Sequence, residues 1–374
     1  MMWEHLKELE LRVRRFYLRQ RQRPFRGELV TSACSVLPTA TPRILLLRQD
    51  RIGDVLCSTP ILDTLRHAFP HARMDIVLSK NNIALAGIVH HWCDHVWCYG
   101  KTLASFLHLR RMLRRMQYDV VVDLMDNPST TSTMLIAATN APFRFGIFKE
   151  NAWAYTHCVP LLDRSRYHYV ERIAQLLLPF GIDPASAQLD LRYPLSQSDI
   201  ARAACDLGLP EHPERCGFVF IHTSTRHQSL QWEWGRYREL VRILRQRFPS
   251  LAIGLGGTEH DADAINAIAS ECGGFALPTL PFHRYAAMLY YARLLITPDT
   301  SIVHVAAALK VPAVVLFHRG DERLLPWYPY RSPYRALVSN GSVNAIAASD
   351  VLAAACELLA ENSPPTGERI FAAL

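Results

Sequence analysis

Short apolar runs that end in turn residues and give way to helix-period segments recur along most of this chain. That alternation restricts its fold more than any other feature. Arg43–Arg48 (RILLLR) reads as a buried strand, and Val55–Phe69 has helical spacing. Met74–Ser79 reads as a second strand and Val96–Tyr99 as a short third. Leu103–Met116 has the spacing of a helix, Tyr118–Leu124 (YDVVVDL) that of a strand, and Thr131–Ala138 that of a further helix. Strands separated by helices predict a parallel sheet with helices on its faces.

Residues 160–215 interrupt the pattern: a helix over Tyr169–Leu178 ends near Gly181, and Pro184, Pro194, Pro210 and Pro213 punctuate the stretch after it. A second alternation starts at Cys216. It comprises strand Phe218–His222, helix Arg236–Arg247, strand Leu251–Leu255, helices Asp263–Ser270 and Tyr285–Leu294, strand Leu295–Thr297, helix Ile302–Leu309 and strand Ala313–Phe317. A last helix is expected over Ile346–Leu359. The organisation expected is therefore a basic N-terminal segment and linker (1–42), an α/β domain (43–185), a connection (186–215), a second α/β domain (216–345) and a C-terminal helix and tail (346–374). Two such domains joined near the middle predict a ligand cleft between them.

At 374 residues with 49% hydrophobic and 20% charged residues, the chain has the composition of a packed globular protein and not of a disordered one. No uncharged apolar run reaches the ~18 residues of a membrane span, and the N-terminus lacks the pattern of a signal peptide. Nine scattered cysteines, an odd number, argue for a reducing, cytoplasmic compartment over a disulfide framework. The net charge of +7 favours an anionic partner. Its densest basic part is residues 1–28, where Trp3, Leu6, Leu9, Val13 and Phe16 mark one helix face and Arg12, Arg14, Arg15, Arg19, Arg21, Arg23 and Arg26 supply the charge. A basic amphipathic helix on an anionic bilayer and a helix docked on its own domain both fit that pattern. The basic segments form no recognised nucleic-acid-binding motif, so no nucleic-acid partner is expected.

Two loops stand out. The first strand runs into Arg48-Gln-Asp-Arg51-Ile-Gly-Asp54, two aspartates and two arginines around one glycine, at the strand end where chemistry usually sits. Asp54 reads either as a helix N-cap or as a working carboxylate. Leu294–Leu309 (LLITPDTSIVHVAAAL) reads as strand, Asp299-Thr300-Ser301, then helix, with amides and hydroxyls of Thr300 and Ser301 suited to phosphate and His304 in reach as a proton donor or positive charge. Asp299 would repel a phosphate and fits better as a loop brace or a partner for a sugar hydroxyl. The cluster His90, His91, Cys93, Asp94, His95 and Cys98 lacks a second ligand pair at zinc-site spacing, and no metal is expected there. Asp261-Ala-Asp263 reads as a helix start. His108 to Arg115 places arginine pairs on one helix face.

RILLLRQDRIGDVLCSTPILDTLRHAFP resembles the N-terminal signature of the ADP-heptose lipopolysaccharide heptosyltransferases, glycosyltransferase family 9. TPDTSIVHVAAALKVPAVVLF resembles their donor-site signature, and His168-Tyr-Val-Glu-Arg172 is similar to the family's segment before the domain crossover. The resemblance spans roughly residues 43–360. It implies the GT-B fold, two Rossmann-like domains facing a cleft, and inverting transfer of heptose from ADP-heptose to a lipopolysaccharide-core or related acceptor, with neither metal nor cofactor. It implies Asp54 as general base and Asp299, Thr300 and His304 as donor-site residues, with Ser301 where members often have glycine. Thr225 lies in the loop whose hydroxyls contact phosphate. Leu230 stands where the family usually has lysine, which leaves Arg226 as the nearest substitute. Gly254–Glu259 resembles the nucleoside-contacting segment, with Glu259 as its acid. Arg51, Arg110, Arg111 and Arg114 are acceptor-side candidates for an anionic, lipid-linked saccharide, which would place the enzyme peripherally on the cytoplasmic face of the inner membrane. Alternatives are a protein acceptor, a catalytically silent nucleotide-sugar-binding member, to which Leu230 points, and a nicotinamide enzyme, which the lack of a full Gly-x-Gly-x-x-Gly disfavours.

Overall fold

A computed structural model describes residues 24–209, 217–225, 230–318 and 327–361, which fall into two compact units, Met1–Asp190 and Leu191–Leu374. The helix expected before Pro24 lies outside the described residues, as does Arg226.

The first unit is a seven-stranded, all-parallel sheet in the order β1-β7-β6-β5-β2-β3-β4. Its strands are β1 (Glu28–Leu29), β2 (Arg43–Leu47), β3 (Arg73–Ser79), β4 (His95–Tyr99), β5 (Val120–Asp123), β6 (Phe143–Ile147) and β7 (His157–Val159). The crossovers carry α1 (Ile52–Ala68), α2 (Ala86–Val89), α3 (Leu103–Met116) and α4 (Thr130–Thr139), and α5 (Tyr169–Ala174) comes after β7. Ile44 to Leu47 are wholly buried, because β2 is an interior strand of the sheet, between β5 and β3, with helices over both faces. Proline does not break α1: Pro60 has no N–H for the Leu56 carbonyl, and the Thr59 hydroxyl donates to that carbonyl instead, at 2.7 Å.

Strands β6 and β7 escape the sequence pattern: Arg144 and Gly146 interrupt the apolar run of β6, and β7 has only three residues. A Cβ at Gly146 in β6 would come within 2.4 Å of the Tyr155 ring, so glycine is what lets that ring pack over the strand. Residues 31–42 are not a free linker. Strand β1 pairs with β7, and Cys34 and Val36 donate backbone bonds to the carbonyls of Leu178 and Pro179.

The second unit is a six-stranded parallel sheet, β10-β9-β8-β11-β12-β13. Its strands are β8 (Phe218–His222), β9 (Ala252–Gly256), β10 (Phe275–Ala276), β11 (Ala292–Pro298), β12 (Ala313–His318) and β13 (Tyr334–Ser339). Helices α6 (Gln197–Asp206), α7 (Trp234–Arg247), α8 (Ala262–Cys272), α9 (Phe282–Ala287), α10 (Ile302–Ala308) and α11 (Ala348–Glu361) complete it. The expected helix Tyr285–Leu294 is shorter: α9 passes into a 3-10 turn over Met288–Tyr291, and β11 already begins at Ala292. The stretch read as a connection contains α6, which a Ser196–Asp199 capping box starts. Helix α11 packs on the same core as α7 and α8, through Val351, Ala355 and Leu358. Among the described residues no helix is long and apolar enough to cross a membrane.

Candidate active site

Strand β2 neighbours β3 on one side and β5 on the other, so the loop that leaves it lies where the chain order reverses, at the carboxyl edge of the sheet. Arg48 ends the strand and turns inward, wholly buried. Its Nε donates to the Asp54 carbonyl at 2.9 Å and its Nη1 to the Leu124 carbonyl at 2.7 Å. Nη2 donates to the Tyr169 hydroxyl. The same guanidinium lies 3.3 Å from an Asp50 carboxylate oxygen and 3.6 Å from one of Asp54. One cation therefore serves two carboxylates.

Asp54 is not the N-cap. Arg51 holds that position without a side-chain cap bond, and Gly53 lies inside the first helical turn without a left-handed backbone. The Asp54 carboxyl is not spent on capping and is 13% exposed, so a solute hydroxyl can reach it. Burial pushes it up to about 7 against the pull of Arg48, and a hydrogen bond shared with Asp50 adds to the rise. A carboxylate that exchanges its proton near neutral pH suits general-base work.

The segment His168–Arg172 builds the floor of this edge. His168 and Glu171 form a reciprocal cap on α5. Tyr169 meets Arg48, and Arg172 donates to Asp126 from Nε at 3.1 Å and lies 3.0 Å from it through Nη2. Both guanidiniums stand near the Tyr169 ring centroid, at 5.2 and 5.3 Å. Beside them Asp123 accepts from Lys149 at 3.0 Å and from the Tyr155 hydroxyl at 2.6 Å. The sequence marks the Arg48–Asp54 loop and the His168–Arg172 segment separately. It does not show that Arg48 and Tyr169 meet, nor that Asp123, Asp126, Lys149 and Tyr155 stand beside them, because those contacts cross the sheet.

In the second unit β8 lies between β9 and β11, again at a reversal point, and the loops after these three strands share one edge. Ser224 donates to Asp261, Thr258 donates to the same Asp261 oxygen at 3.0 Å, and the Thr258 amide donates to Ser224 Oγ at 2.6 Å. A Cβ at Gly257 would come within 2.5 Å of Ser224 Oγ, which explains glycine there. Thr225 donates to Gln231 Oε1 at 3.4 Å, and the Gln231 amide donates to the Thr223 carbonyl at 2.9 Å. Asp261 and Gln231 thus brace the loop that carries Thr225, whereas Glu259 is exposed. Leu230 is half-buried, beside the buried Trp232.

Asp299, Thr300 and Ser301 join β11 to α10 on this edge, with Asp299 exposed and Ser301 as N-cap. His304 is buried, with its ring 6.1 Å from that of Trp327, and burial pushes it down to about 4. A ring held that low favours the proton-donor role of the two expected for His304 over the positive charge. An N–H on the neutral ring can still donate.

The acceptor-side arginines do not gather. Arg51 is exposed at the start of α1, beside Asp54. Helix α3 runs back from the carboxyl edge, so Arg110, Arg111 and Arg114 lie ~10–16 Å along its axis from its first residue. The His90–Cys98 cluster also disperses: Cys93 is buried, Asp94 accepts from Arg66 and from the Met74 amide, and His95 packs on Trp97. Among the described residues no three His, Cys, Asp or Glu side chains converge as a metal set.

The sequence profile of glycosyltransferase family 9 (heptosyltransferase) matches residues 106–349. This chain belongs to that family. It is a glycosyltransferase of the GT-B fold. Lipopolysaccharide heptosyltransferase 3 of Escherichia coli is 25% identical over 350 residues, covering 84% of this chain and 98% of the relative. Among solved structures, the family 9 glycosyltransferase of Veillonella parvula has a TM-score of 0.73 at 19% identity, covering 86% of this chain and 98% of that one. ADP-heptose lipopolysaccharide heptosyltransferase II of E. coli has a TM-score of 0.67, also at 19% identity, over 85% and 99%.

Proposed function

We propose that this family 9 enzyme transfers heptose from ADP-heptose to a lipopolysaccharide-core acceptor with inversion at the anomeric carbon. The observation that carries the reading is the Asp54 carboxyl, partly exposed at the sheet edge and raised to about 7. The names of the relatives supply the donor and the acceptor class. Asp54 takes the proton of the acceptor hydroxyl as its oxygen bonds to the anomeric carbon. The carbon–oxygen bond to ADP breaks on the opposite face, and the proton on Asp54 then passes to solvent. Thr225, Arg226, Thr300 and Ser301 stabilise the charge that develops on the diphosphate, and neutral His304 donates a hydrogen bond. Asp299 and Glu259 serve the sugar and nucleoside hydroxyls. The scheme uses no metal and no cofactor.

The acceptor is lipid-linked, so the enzyme works at the cytoplasmic face of the inner membrane, with the basic segment 1–28 as one contact. Leu230 in place of the family's lysine favours a second reading, a nucleotide-sugar-binding member without turnover. Release of ADP when ADP-heptose and truncated lipopolysaccharide cores are added together separates the two. Acceptor-dependent release supports transfer; donor binding without release supports the silent reading.

A further inference from the structure

Helices α3 and α4 cover one face of the first sheet with Phe106, Leu109, Leu113, Leu135 and Ile136 turned inward. Their outer surface is unusual. Leu103 is 73% exposed, Leu107 50% and Met134 38%, near the N-terminal ends of the two helices. A cavity of about 140 Å³ opens there, with Tyr99, Leu103, Phe106 and Met134 in its wall. Farther along α3, Arg110, Arg111, Arg114 and Arg115 are exposed. Leu103, Leu107, Arg110 and Arg114 succeed one another at steps of four, three and four residues, so they form one continuous stripe along the helix. Neither helix contains a carboxylate: α3 reads LASFLHLRRMLRRM and α4 reads TTSTMLIAAT.

A solvated helix face ordinarily mixes both signs of charge and avoids adjacent large apolar groups. A stripe that is apolar at one end and purely cationic at the other matches an anionic phospholipid surface, where apolar side chains enter the headgroup boundary and guanidiniums meet lipid phosphates. We infer that the outer face of α3 and α4 seats this protein on an anionic bilayer, with Leu103, Leu107 and Met134 inserted and Arg110, Arg111, Arg114 and Arg115 on the phosphates. This deepens the membrane reading above and rests on it. The arginines that lie away from Asp54 thereby acquire a role at the surface that presents the acceptor.

The test is co-sedimentation of the full chain with vesicles of phosphatidylcholine alone and of phosphatidylcholine mixed with phosphatidylglycerol. Two exposed double variants, R110E/R114E and L103S/L107S, are compared with the unaltered chain. The unaltered chain should bind the anionic vesicles only. The charge reversal should lower partitioning by about tenfold or more, since each arginine contributes about fivefold at an anionic surface. The serine pair should lower it by roughly three- to tenfold and remove the part that survives added salt. Hydrogen exchange on the unaltered chain should show new protection in residues 103–116 when anionic vesicles are present, which keeps the test decisive if a variant misfolds. Equal binding by both variants, without that protection, overturns the α3–α4 assignment and leaves the membrane reading standing. Failure of the unaltered chain to bind anionic vesicles overturns both.

Discussion

Arg48 grips Asp54 at both ends: its Nε donates to the Asp54 carbonyl at 2.9 Å, and its Nη2 lies 3.6 Å from the Asp54 carboxylate. The backbone bond fixes the first turn of α1, and the charge contact fixes the direction of the carboxyl. Asp50 shares the same guanidinium, so one buried cation faces two carboxylates. Burial first, and then the like charge of Asp50, raise the Asp54 carboxyl to about 7 against the pull of Arg48.

The first prediction concerns the acid limb of turnover. With the Asp54 carboxyl at about 7, kcat/KM should fall below roughly that pH as the base becomes protonated. Asp50→Asn removes the like charge and should move the limb down by about one pH unit or more. A pH–rate profile of both proteins is the check, and a limb that does not move would remove Asp50 from the account.

The second concerns stability. An unfolded aspartate titrates near ~3.9, below the folded value, so the folded chain binds more protons between the two. The contribution of Asp54 to stability therefore falls as pH rises from about 4 to about 7. Asp54→Asn ends that loss and leaves Arg48 facing a single carboxylate. The variant should be more stable than the unaltered chain at pH 8, by a few kcal/mol at most, with the gain fading toward pH 4. Urea unfolding at the two pH values measures it.

The third concerns Tyr169, whose hydroxyl accepts from Arg48 and donates to the Leu124 carbonyl at 3.3 Å. Tyr169→Phe leaves a buried guanidinium one acceptor short. It should destabilise the protein by about 1–3 kcal/mol and lower turnover with the donor KM nearly unchanged. Denaturant unfolding and steady-state kinetics separate these effects.

The fourth concerns the diphosphate. Arg226→Ala should weaken ADP binding by ~1.5–3 kcal/mol, the range for a charge-assisted bond. Calorimetric titration with ADP is the measurement, and an unchanged Kd would place the phosphate contact on other residues.

How much of the fold is legible in the sequence depends on burial. Strands β2, β8 and β12 are apolar over nearly their full length, and their place in two parallel sheets can be read from RILLLR, FVFIH and AVVLF. Strand β13, half-exposed at a sheet edge, and β7, three residues long, carry no such signal. The candidate site divides similarly. Asp54 and the Asp299–His304 run lie in contiguous segments, where spacing is informative. The Tyr169–Arg48 contact joins residues 121 positions apart and the Ser224–Asp261 bond joins residues 37 apart, so no local pattern announces them. His304 is apparent as a residue, but its neutrality is not, because that depends on three-dimensional burial.

The most direct test of the central claim is the product itself. Purified protein is incubated with ADP-heptose and a series of truncated lipopolysaccharide cores, and each core is then analysed by mass spectrometry, with Asp54→Asn run in parallel. One core should gain a single heptose with the unaltered chain, and Asp54→Asn should form the same product ~10²-fold or more slowly while binding ADP normally. No heptose on any core, or an Asp54→Asn rate close to that of the unaltered chain, would contradict the central claim.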